Sequence, residues 1–211
     1  MKLINLDQGS ADWLTWRMGG IGGSDAPIIM GVSPYMTREK LLSQKAVRRF
    51  GAVRKTDNGK TDAMKRGIEK EPMVRDEYCR RTGRTLDPQC GIHDKYPWMR
   101  ASFDGLLLPD FSLVLEIKCP NRNVHQQALD GLVATLYWPQ VQHLLAVSGG
   151  QALDFVTWSE NQFFGSRHLA RVKVKPELDY IEALIEAEQM FVDEVEAARK
   201  KMKTPRRLLT S

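Results

Sequence analysis

An aspartate, a glutamate and a lysine near the middle of the chain have the types and spacing of a metal-dependent catalytic site. Asp104 belongs to the segment Ser102–Lys118, SFDGLLLPDFSLVLEIK, in which two apolar runs flank the turn dipeptide Pro109-Asp110. A hairpin that turns near residues 109–111 would place Asp104 opposite Glu116, with Cβ atoms roughly 5 Å apart. Two carboxylates so close repel each other unless a cation lies between them, and such oxygen ligands suit Mg²⁺ or Mn²⁺.

The lysine of this set follows from strand alternation. Glu116 and Lys118 share one face of a strand, whereas Ile117 points into the core. The ammonium group of Lys118 would then lie beside the metal, where it could orient or help deprotonate a water molecule and offset charge on a phosphate under attack. Glu71, on a predicted helix, could add a third carboxylate. The alternative is an ordinary half-exposed hairpin with surface charges, against which the apolar neighbours argue.

The apolar pattern of the whole chain predicts an α/β domain with a central mixed β-sheet flanked by helices. Helices are expected at 12–17, after Ser24, and at 37–48, 61–82, 123–130, 133–147 and 177–202; strands are expected within 85–118, at 153–158 and at 167–175. A kink or break is expected at Pro72. No repeat or linker divides the chain, so we expect one domain over 1–211: a helical part to about 84, a catalytic sheet over 85–175 and a C-terminal helix over 177–202.

Composition limits the class of protein. The 211 residues include 31 basic and 26 acidic side chains, a net charge of +5 that permits nucleic-acid binding without requiring it. The basic residues are concentrated between 38 and 84. No apolar run approaches the roughly 18 residues that span a bilayer, and no signal peptide is evident. Three cysteines without a C-x-x-C pair indicate reduced thiols, so we expect a cytoplasmic protein without membrane association.

Five motifs in a fixed order carry a family resemblance. They are WLTWRMGGIGGSDAPIIMG at 13–31, Gly67-x-x-x-Glu71-Pro72, Ser102-Phe103-Asp104-Gly105, Leu115-Glu116-Ile117-Lys118-Cys119-Pro120 and Gln140-Val141-Gln142. The set resembles the YqaJ-type viral recombinases, a group that includes the exonuclease of phage lambda. The resemblance implies a restriction-endonuclease-like fold with a PD-(D/E)xK core.

The resemblance also implies an activity and partners. It implies a Mg²⁺-dependent 5′-to-3′ exonuclease, with one or two ions per site, that digests one strand of linear double-stranded DNA bearing a 5′-phosphate. The product would be a 3′ single-stranded overhang for recombination by a single-strand annealing protein. The resemblance further implies a homo-oligomer in the form of a trimeric ring, and a phage or prophage origin that would place the protein in the bacterial host cytoplasm.

Individual residues inherit roles from the matched motifs. Asp104, Glu116 and the Ile117 carbonyl would be metal ligands, Lys118 the catalytic lysine, Glu71 a glutamate near a second metal or the attacking water, and Gln140 a glutamine beside the site. Arg17 and Ser24 would bind the terminal 5′-phosphate, in agreement with the anion-binding ability of a helix start after a glycine run. For these two, a surface charge and a simple helix cap are the alternatives. Lys60 and Lys65 are candidate phosphate contacts without a matched motif.

Other interpretations stay open from the sequence. The same core could serve an endonuclease, a nuclease of another polarity, or a DNA-end-binding module that has lost catalysis. His125 and His143 are expected to be structural or DNA-contacting rather than metal ligands. Trp13 and Trp16 could stack on bases or belong to the core.

Overall fold

Within residues 1–47 and 62–203, the part of the chain that the computed structural model describes, seven strands form one mixed sheet. The strands are β1 (Lys2–Ile4), β2 (Ile21–Gly22), β3 (Asp87–Ile92), β4 (Met99–Leu106), β5 (Leu113–Lys118), β6 (Ala152–Trp158) and β7 (Leu169–Val174). Their order is β1-β3-β4-β5-β6-β7, with β2 on β4. The pairs β5–β6 and β2–β4 are parallel and the others antiparallel, so the predicted mixed sheet is confirmed.

Helices cover both faces of the sheet. They are α1 (Ala11–Met18), α2 (Ala26–Ile29), α3 (Arg38–Val47), α4 (Asp62–Thr82), α5 (Arg122–Leu129), α6 (Trp138–Ser148) and α7 (Leu178–Lys203). Val74 and Tyr78 of α4 pack on one face, against Leu115 and Ile117 of β5. Leu144 and other residues of α5, α6 and α7 pack on the opposite face. No helix in the described ranges has both the length and the apolar character needed to cross a bilayer.

Along one of its edges, strand β4 pairs with two different strands. β5 pairs with β4 at Gly105 and Leu106, opposite Leu115 and Val114, which is the register expected from the sequence. Towards its start β4 pairs instead with β2, at Met99 and Arg100. Strands β4 and β5 therefore part next to Asp104, and this fork holds the candidate site.

The N-terminal part differs from its prediction as an all-helical segment. It contributes strands β1 and β2, which are too short to show a period in the sequence. Helix α2 begins after Asp25, which makes no side-chain capping bond, so the expected start with Ser24 as capping residue is wrong. The helix expected over 133–147 begins only at Trp138, after a 3₁₀ turn at Thr135–Tyr137, because Pro139 is accommodated in a first helical turn.

Helix α4 continues through Pro72, so the break considered there is absent. Proline removes the hydrogen bond to the carbonyl four residues earlier, that of Ile68. Ile68 is 52% exposed and Pro72 is exposed as well, so water can reach that carbonyl. The helix ends as expected at Gly83, whose φ of 67° is the left-handed conformation that glycine adopts freely.

Candidate active site

The fork between β4 and β5 holds the Asp104 carboxylate close to the backbone of the neighbouring strand. Its Oδ2 accepts a hydrogen bond of 2.7 Å from the backbone N–H of Ile117. The backbone carbonyl of Asp104 accepts from Arg75 Nε of α4 at 2.5 Å. The point where the strands separate is thus filled by a carboxylate and a guanidinium instead of a regular strand ladder.

Glu116 is the centre of the polar contacts in the fork. Its side chain is only 2% exposed, and its Oε1 lies 2.5 Å from Lys118 Nζ and 2.6 Å from Gln140 Nε2. The pairing confirms the expected alternation along β5, with Glu116 and Lys118 on one face and Ile117 buried on the other. The Lys118 ammonium also lies 5.5 Å from the ring centroid of Tyr137, just before α6.

A third carboxylate reaches the same region from α4. Glu71 Oε1 accepts from Arg75 at 2.6 Å, one helical turn away. Arg75 therefore links Glu71 to the carbonyl of Asp104. Sequence reasoning missed Arg75, although its position four residues after Glu71 on a predicted helix is the spacing that favours such a pair.

The carboxyl groups of the fork have perturbed proton affinities. Burial, assisted by the charge of Asp104, raises the pKa of Glu116 to about 8. Burial and the same charge raise the pKa of Glu71 to about 7, against the opposing effect of Arg75. Burial also raises the pKa of Asp104. Burial alone would lower the pKa of Lys118, but Glu116 and Asp104 outweigh it and raise that pKa, so Lys118 is a cation.

The donor set suits a cation with few protein ligands. Asp104, Glu116 and Glu71 act electrostatically on one another, and a divalent ion would keep all three ionised. In the described ranges, no three His, Cys, Asp or Glu side chains are arranged as a complete metal cage. Mg²⁺ does not need one, because it usually takes one or two carboxylates and fills its other positions with water and phosphate oxygens. Asp104 and Glu116 supply the two carboxylates of such a site, and the Ile117 carbonyl remains a predicted ligand.

Arg17 in the last turn of α1 and Ser24 after a glycine-rich turn lie beside the fork. Arg17 donates to Ser24 Oγ at 2.5 Å, and its guanidinium lies 5.0 Å from the ring centroid of Trp13. Trp13 in turn donates from its indole nitrogen to Ser102 Oγ at 2.8 Å, two residues before Asp104. The charge of Arg17 also opposes the effect of burial on the pKa of Asp104.

The glycines of this turn allow a close approach of two elements. A methyl group on Gly20 would collide with the carbonyl oxygen of Trp98, and one on Gly23 would lie 3.3 Å from Gln140 Cγ. The turn is thereby packed between β4 and α6. Helix α2 has only four residues, so the anion-binding helix start expected after Ser24 is not formed. The candidate anion-binding groups are then the Ser24 hydroxyl of the turn and the Arg17 guanidinium of α1 that donates to it.

The other predicted phosphate contacts are not brought into the site by any contact in the described ranges. Lys65 is exposed near the start of α4, and Lys60 lies outside the described residues, as does the basic segment 51–60. Two residues of the basic region form ion pairs within the protein instead. Arg38 pairs with Glu194 of α7 at 2.7 Å, and Lys45 pairs with Asp25 at 2.6 Å.

Both histidines near the site have structural surroundings. His125 is fully buried, with its ring nitrogens 2.8 Å from Thr157 Oγ1 and 3.0 Å from the Arg167 carbonyl. His143 is fully buried, 2.8 Å from Glu188 Oε1 and 2.9 Å from the Arg100 carbonyl. Glu188 thus interrupts the apolar face of α7 because it meets His143.

The two tryptophans and the three cysteines considered in the sequence have the following surroundings. Trp13 and Trp16 are half-buried, and each carries an arginine over its ring. Cys79, Cys90 and Cys119 are free thiols, as expected. Tyr137 was not anticipated, since an aromatic residue in a turn gives no signal of the lysine that it will contact.

The mixed sheet with helices on both faces is a restriction-endonuclease-like fold. The alkaline exonuclease LHK-Exo from Laribacter hongkongensis has the same fold, with a TM-score of 0.78 and 24% identity over 92% of this chain and 96% of that one; its complex with dAMP gives the same values. A phage-related exonuclease from Haemophilus somnus 129PT shares the fold more distantly, with a TM-score of 0.57 and 13% identity over 87% and 94% of the two chains.

Sequence comparison identifies the family. Residues 12–151, more than half of the chain, match the YqaJ-like viral recombinase domain, and the protein belongs to that family. The uncharacterized protein YqaJ of Bacillus subtilis strain 168 is 29% identical over 147 residues, which are 69% of this chain and 44% of that protein. The chain therefore spans less than half the length of that relative.

Proposed function

We propose that this protein is a Mg²⁺-dependent exonuclease that digests one strand of linear double-stranded DNA in the 5′-to-3′ direction. The observation that carries the proposal is the convergence of Lys118 and Gln140 on one oxygen of Glu116, beside the carboxylate of Asp104. Membership of the viral recombinase family and a fold shared with two exonucleases support it.

The chain's own residues have distinct tasks in this hydrolysis. Asp104, Glu116 and the Ile117 carbonyl would hold Mg²⁺, or Mn²⁺ in its place, and Glu71 lies where it could serve a second ion or the attacking water. When bound there, Mg²⁺ would lower the pKa of a water molecule and polarise the phosphate. Lys118, held as a cation by Glu116, donates hydrogen bonds to the phosphate or the water and offsets negative charge as it develops. Gln140 fixes the orientation of Glu116.

The direction of digestion follows from the proposed phosphate pocket. Arg17 and Ser24 present a guanidinium and a hydroxyl in mutual contact, and Trp13, which lies beneath Arg17, donates to Ser102 two residues before Asp104. A charged guanidinium is a strong partner for a phosphate group. An end whose 5′-phosphate binds there has its first phosphodiester near the carboxylates, so nucleotides leave from the 5′ end.

The proposal also covers the reaction product, the protein that would use it and the oligomeric state. Removal of one strand from its 5′ end leaves a 3′ single-stranded overhang, which is the substrate of a single-strand annealing protein in phage-type recombination. Family membership supports a role in recombination, and we propose in addition that the chain assembles into a trimeric ring around DNA. Sedimentation equilibrium of the purified protein would test the assembly, with a mass three times that of the 24.0 kDa chain as the expected result.

A nuclease assay with labelled DNA tests the function. Linear duplex with a 5′-phosphate, labelled at the 5′ or the 3′ end, is incubated with Mg²⁺ or with excess chelator, beside closed circular duplex. We expect early release of the 5′ label only, no reaction with chelator and an intact circle. Cleavage of the circle would indicate an endonuclease, early release of the 3′ label the opposite polarity, and DNA binding without any cleavage an inactive end-binding module.

A further inference from the structure

A nearly buried ion pair lies beneath the glycine turn that carries Ser24. Lys45 Nζ of α3 is 2.6 Å from Asp25 Oδ2 and 2.6 Å from the carbonyl oxygen of Gly20. The two charged side chains are only 13% and 16% exposed. The backbone of Lys45 is itself held, because its carbonyl accepts from Arg199 of α7 at 2.8 Å. Lys45 is therefore fixed at both ends and does not face solvent as Lys40 of the same helix does.

Asp25 closes the turn in which Ser24 lies. The backbone N–H of Asp25 donates to the Gly22 carbonyl at 2.8 Å, and the Gly22 N–H donates to Asp25 Oδ2 at 3.0 Å. Ser24 lies within the turn that these two hydrogen bonds close. Its exposed hydroxyl accepts a hydrogen bond from Arg17. The conformation of Asp25 thus determines where Ser24 points.

Asp25 is also an acid within reach of Arg17. A methyl group on Gly22 would lie 3.9 Å from both Arg17 Nε and Asp25 Oδ2, so those two atoms are no farther apart than twice that distance. Burial raises the pKa of Asp25, but Lys45, the Gly22 N–H and the charge of Arg17 together outweigh it and lower that pKa. Asp25 is therefore an anion with two cations nearby, and Lys45 is the one in contact with it.

We propose that Lys45 is a positioning residue for recognition of the 5′-phosphate: it neutralises Asp25, so that Arg17 and Ser24 remain directed to the terminal phosphate. Without Lys45, the uncompensated carboxylate would draw Arg17 towards itself and loosen the turn that presents Ser24. This inference rests on the proposed function, because it assumes that Arg17 and Ser24 bind a phosphate.

A purely structural ion pair makes a different prediction from a positioning residue. If Lys45 only supported the fold, its loss would lower activity equally on all DNA ends. If Lys45 keeps Arg17 available, the loss falls on 5′-phosphorylated ends and appears mainly in KM. Replacing Asp25 with asparagine in the Lys45 variant should then restore recognition of the 5′-phosphate, because no carboxylate is left to draw Arg17 away.

The experiment measures kcat and KM separately on linear duplexes that differ only in a 5′-phosphate or a 5′-hydroxyl. The variants are Lys45→Met, Lys45→Arg, the double variant D25N/K45M and the control Lys40→Met, an exposed lysine of the same helix. We expect Lys45→Met to reduce the preference for phosphorylated ends roughly tenfold, as the loss of a charge-assisted contact would. Lys45→Arg and D25N/K45M should recover most of the preference, and Lys40→Met should keep it. Thermal unfolding shows whether each variant is folded.

Two results would overturn the inference in distinguishable ways. A wild-type enzyme without any preference for 5′-phosphate would overturn the phosphate pocket and, with it, the role of Lys45. A wild-type preference that Arg17→Met abolishes but Lys45→Met leaves intact, or that D25N/K45M fails to restore, would overturn the role of Lys45 alone. If Lys45→Met does not fold, Lys45→Gln removes the same charge with a polar side chain, and a preference for 5′-phosphate left intact in that variant would overturn the role of Lys45.

Discussion

The side-chain amide of Gln140 lies 2.6 Å from the carboxylate oxygen of Glu116 that also contacts Lys118. Gln140 is on α6 and Glu116 on β5, so this contact ties a helix to the strand that carries the acidic residues. An amide can donate to a carboxylate without adding charge. Gln140 therefore orients Glu116 and leaves the electrostatic balance of the fork to Lys118.

Gln140→Leu should lower the rate of DNA digestion by roughly 10- to 100-fold, because one hydrogen bond that fixes Glu116 is lost. Gln140→Glu should lower it further, because it adds a carboxylate beside three others. Initial rates on linear duplex at saturating Mg²⁺ check both. Gln127→Leu, an exposed residue of α5, is the control. Equal rates for Gln140→Leu and Gln140→Glu would contradict a neutral orienting role.

Arg75→Gln should reduce digestion roughly tenfold, because the guanidinium that joins Glu71 to the Asp104 carbonyl is removed and the carboxylates repel each other more strongly. The loss should be larger at low Mg²⁺ concentration than at high, since the metal can replace part of the missing positive charge. A Mg²⁺ titration of the initial rate measures this. Arg80→Gln, on the same helix but 70% exposed, should behave as wild type. A loss independent of Mg²⁺ would contradict the explanation.

Mg²⁺ binding should strengthen as pH rises. Glu116 and Glu71, with pKa values raised to about 8 and about 7, hold protons below those values, and a cation must displace them. The Mg²⁺ dissociation constant from calorimetry should therefore fall between pH 6 and pH 8.5, with proton release detected by repeating the titration in buffers of different ionisation enthalpy. Affinity that does not change over this range would contradict binding by these carboxylates. Glu177→Gln, at an exposed position before α7, should not alter the profile.

The buried pair of His143 and Glu188 predicts a pH dependence of stability. Both neighbours of the imidazole, a carboxylate and a carbonyl, are hydrogen-bond acceptors, which favours the doubly protonated ring. Burial lowers the pKa of His143, but these contacts outweigh it and raise that pKa. Because the folded pKa is above the unfolded value of 6.5, the stabilisation is complete below pH 6.5 and is lost as pH rises through the folded pKa.

Glu188→Gln should therefore destabilise the protein most at low pH, by about 1.5–3 kcal/mol, the usual range for a hydrogen bond to a charged group. The difference from wild type should shrink as the pH rises above 6.5. Urea unfolding at pH 5.5, 7 and 9 measures it. Glu186→Gln, exposed on the same helix, should show no such trend. A difference that grows with pH would contradict the raised pKa of His143.

The sequence predicted the hairpin register because apolar runs and a Pro-Asp turn leave few alternatives for two short strands. Asp104, Glu116 and Lys118 follow from that register alone. Gln140 could be placed only through the family motif, because its contact with Glu116 joins a helix and a strand across 24 positions of the sequence. No local pattern encodes such a contact.

The glycine turn was the part that local patterns described least well. Ser24 has the surroundings of a capping residue, but β2 pairs with β4 and shifts the helix start to Ala26. A two-residue strand has no period that a sequence could reveal. The pairing of Lys45 with Asp25 likewise depends on how α3 packs, so one lysine of an apparently uniform basic region is internal.

Lys118→Ala tests the central claim most directly, with 5′-phosphorylated linear duplex as substrate and saturating Mg²⁺. We expect digestion to fall at least about 100-fold, the size of effect seen when one donor that stabilises developing charge is removed. Thermal unfolding and affinity for DNA ends should stay close to wild type, and Lys173→Ala, an exposed lysine of strand β7, should digest normally. A folded Lys118→Ala protein that digests DNA within tenfold of the wild-type rate would contradict the assignment of Asp104, Glu116 and Lys118 as the active site.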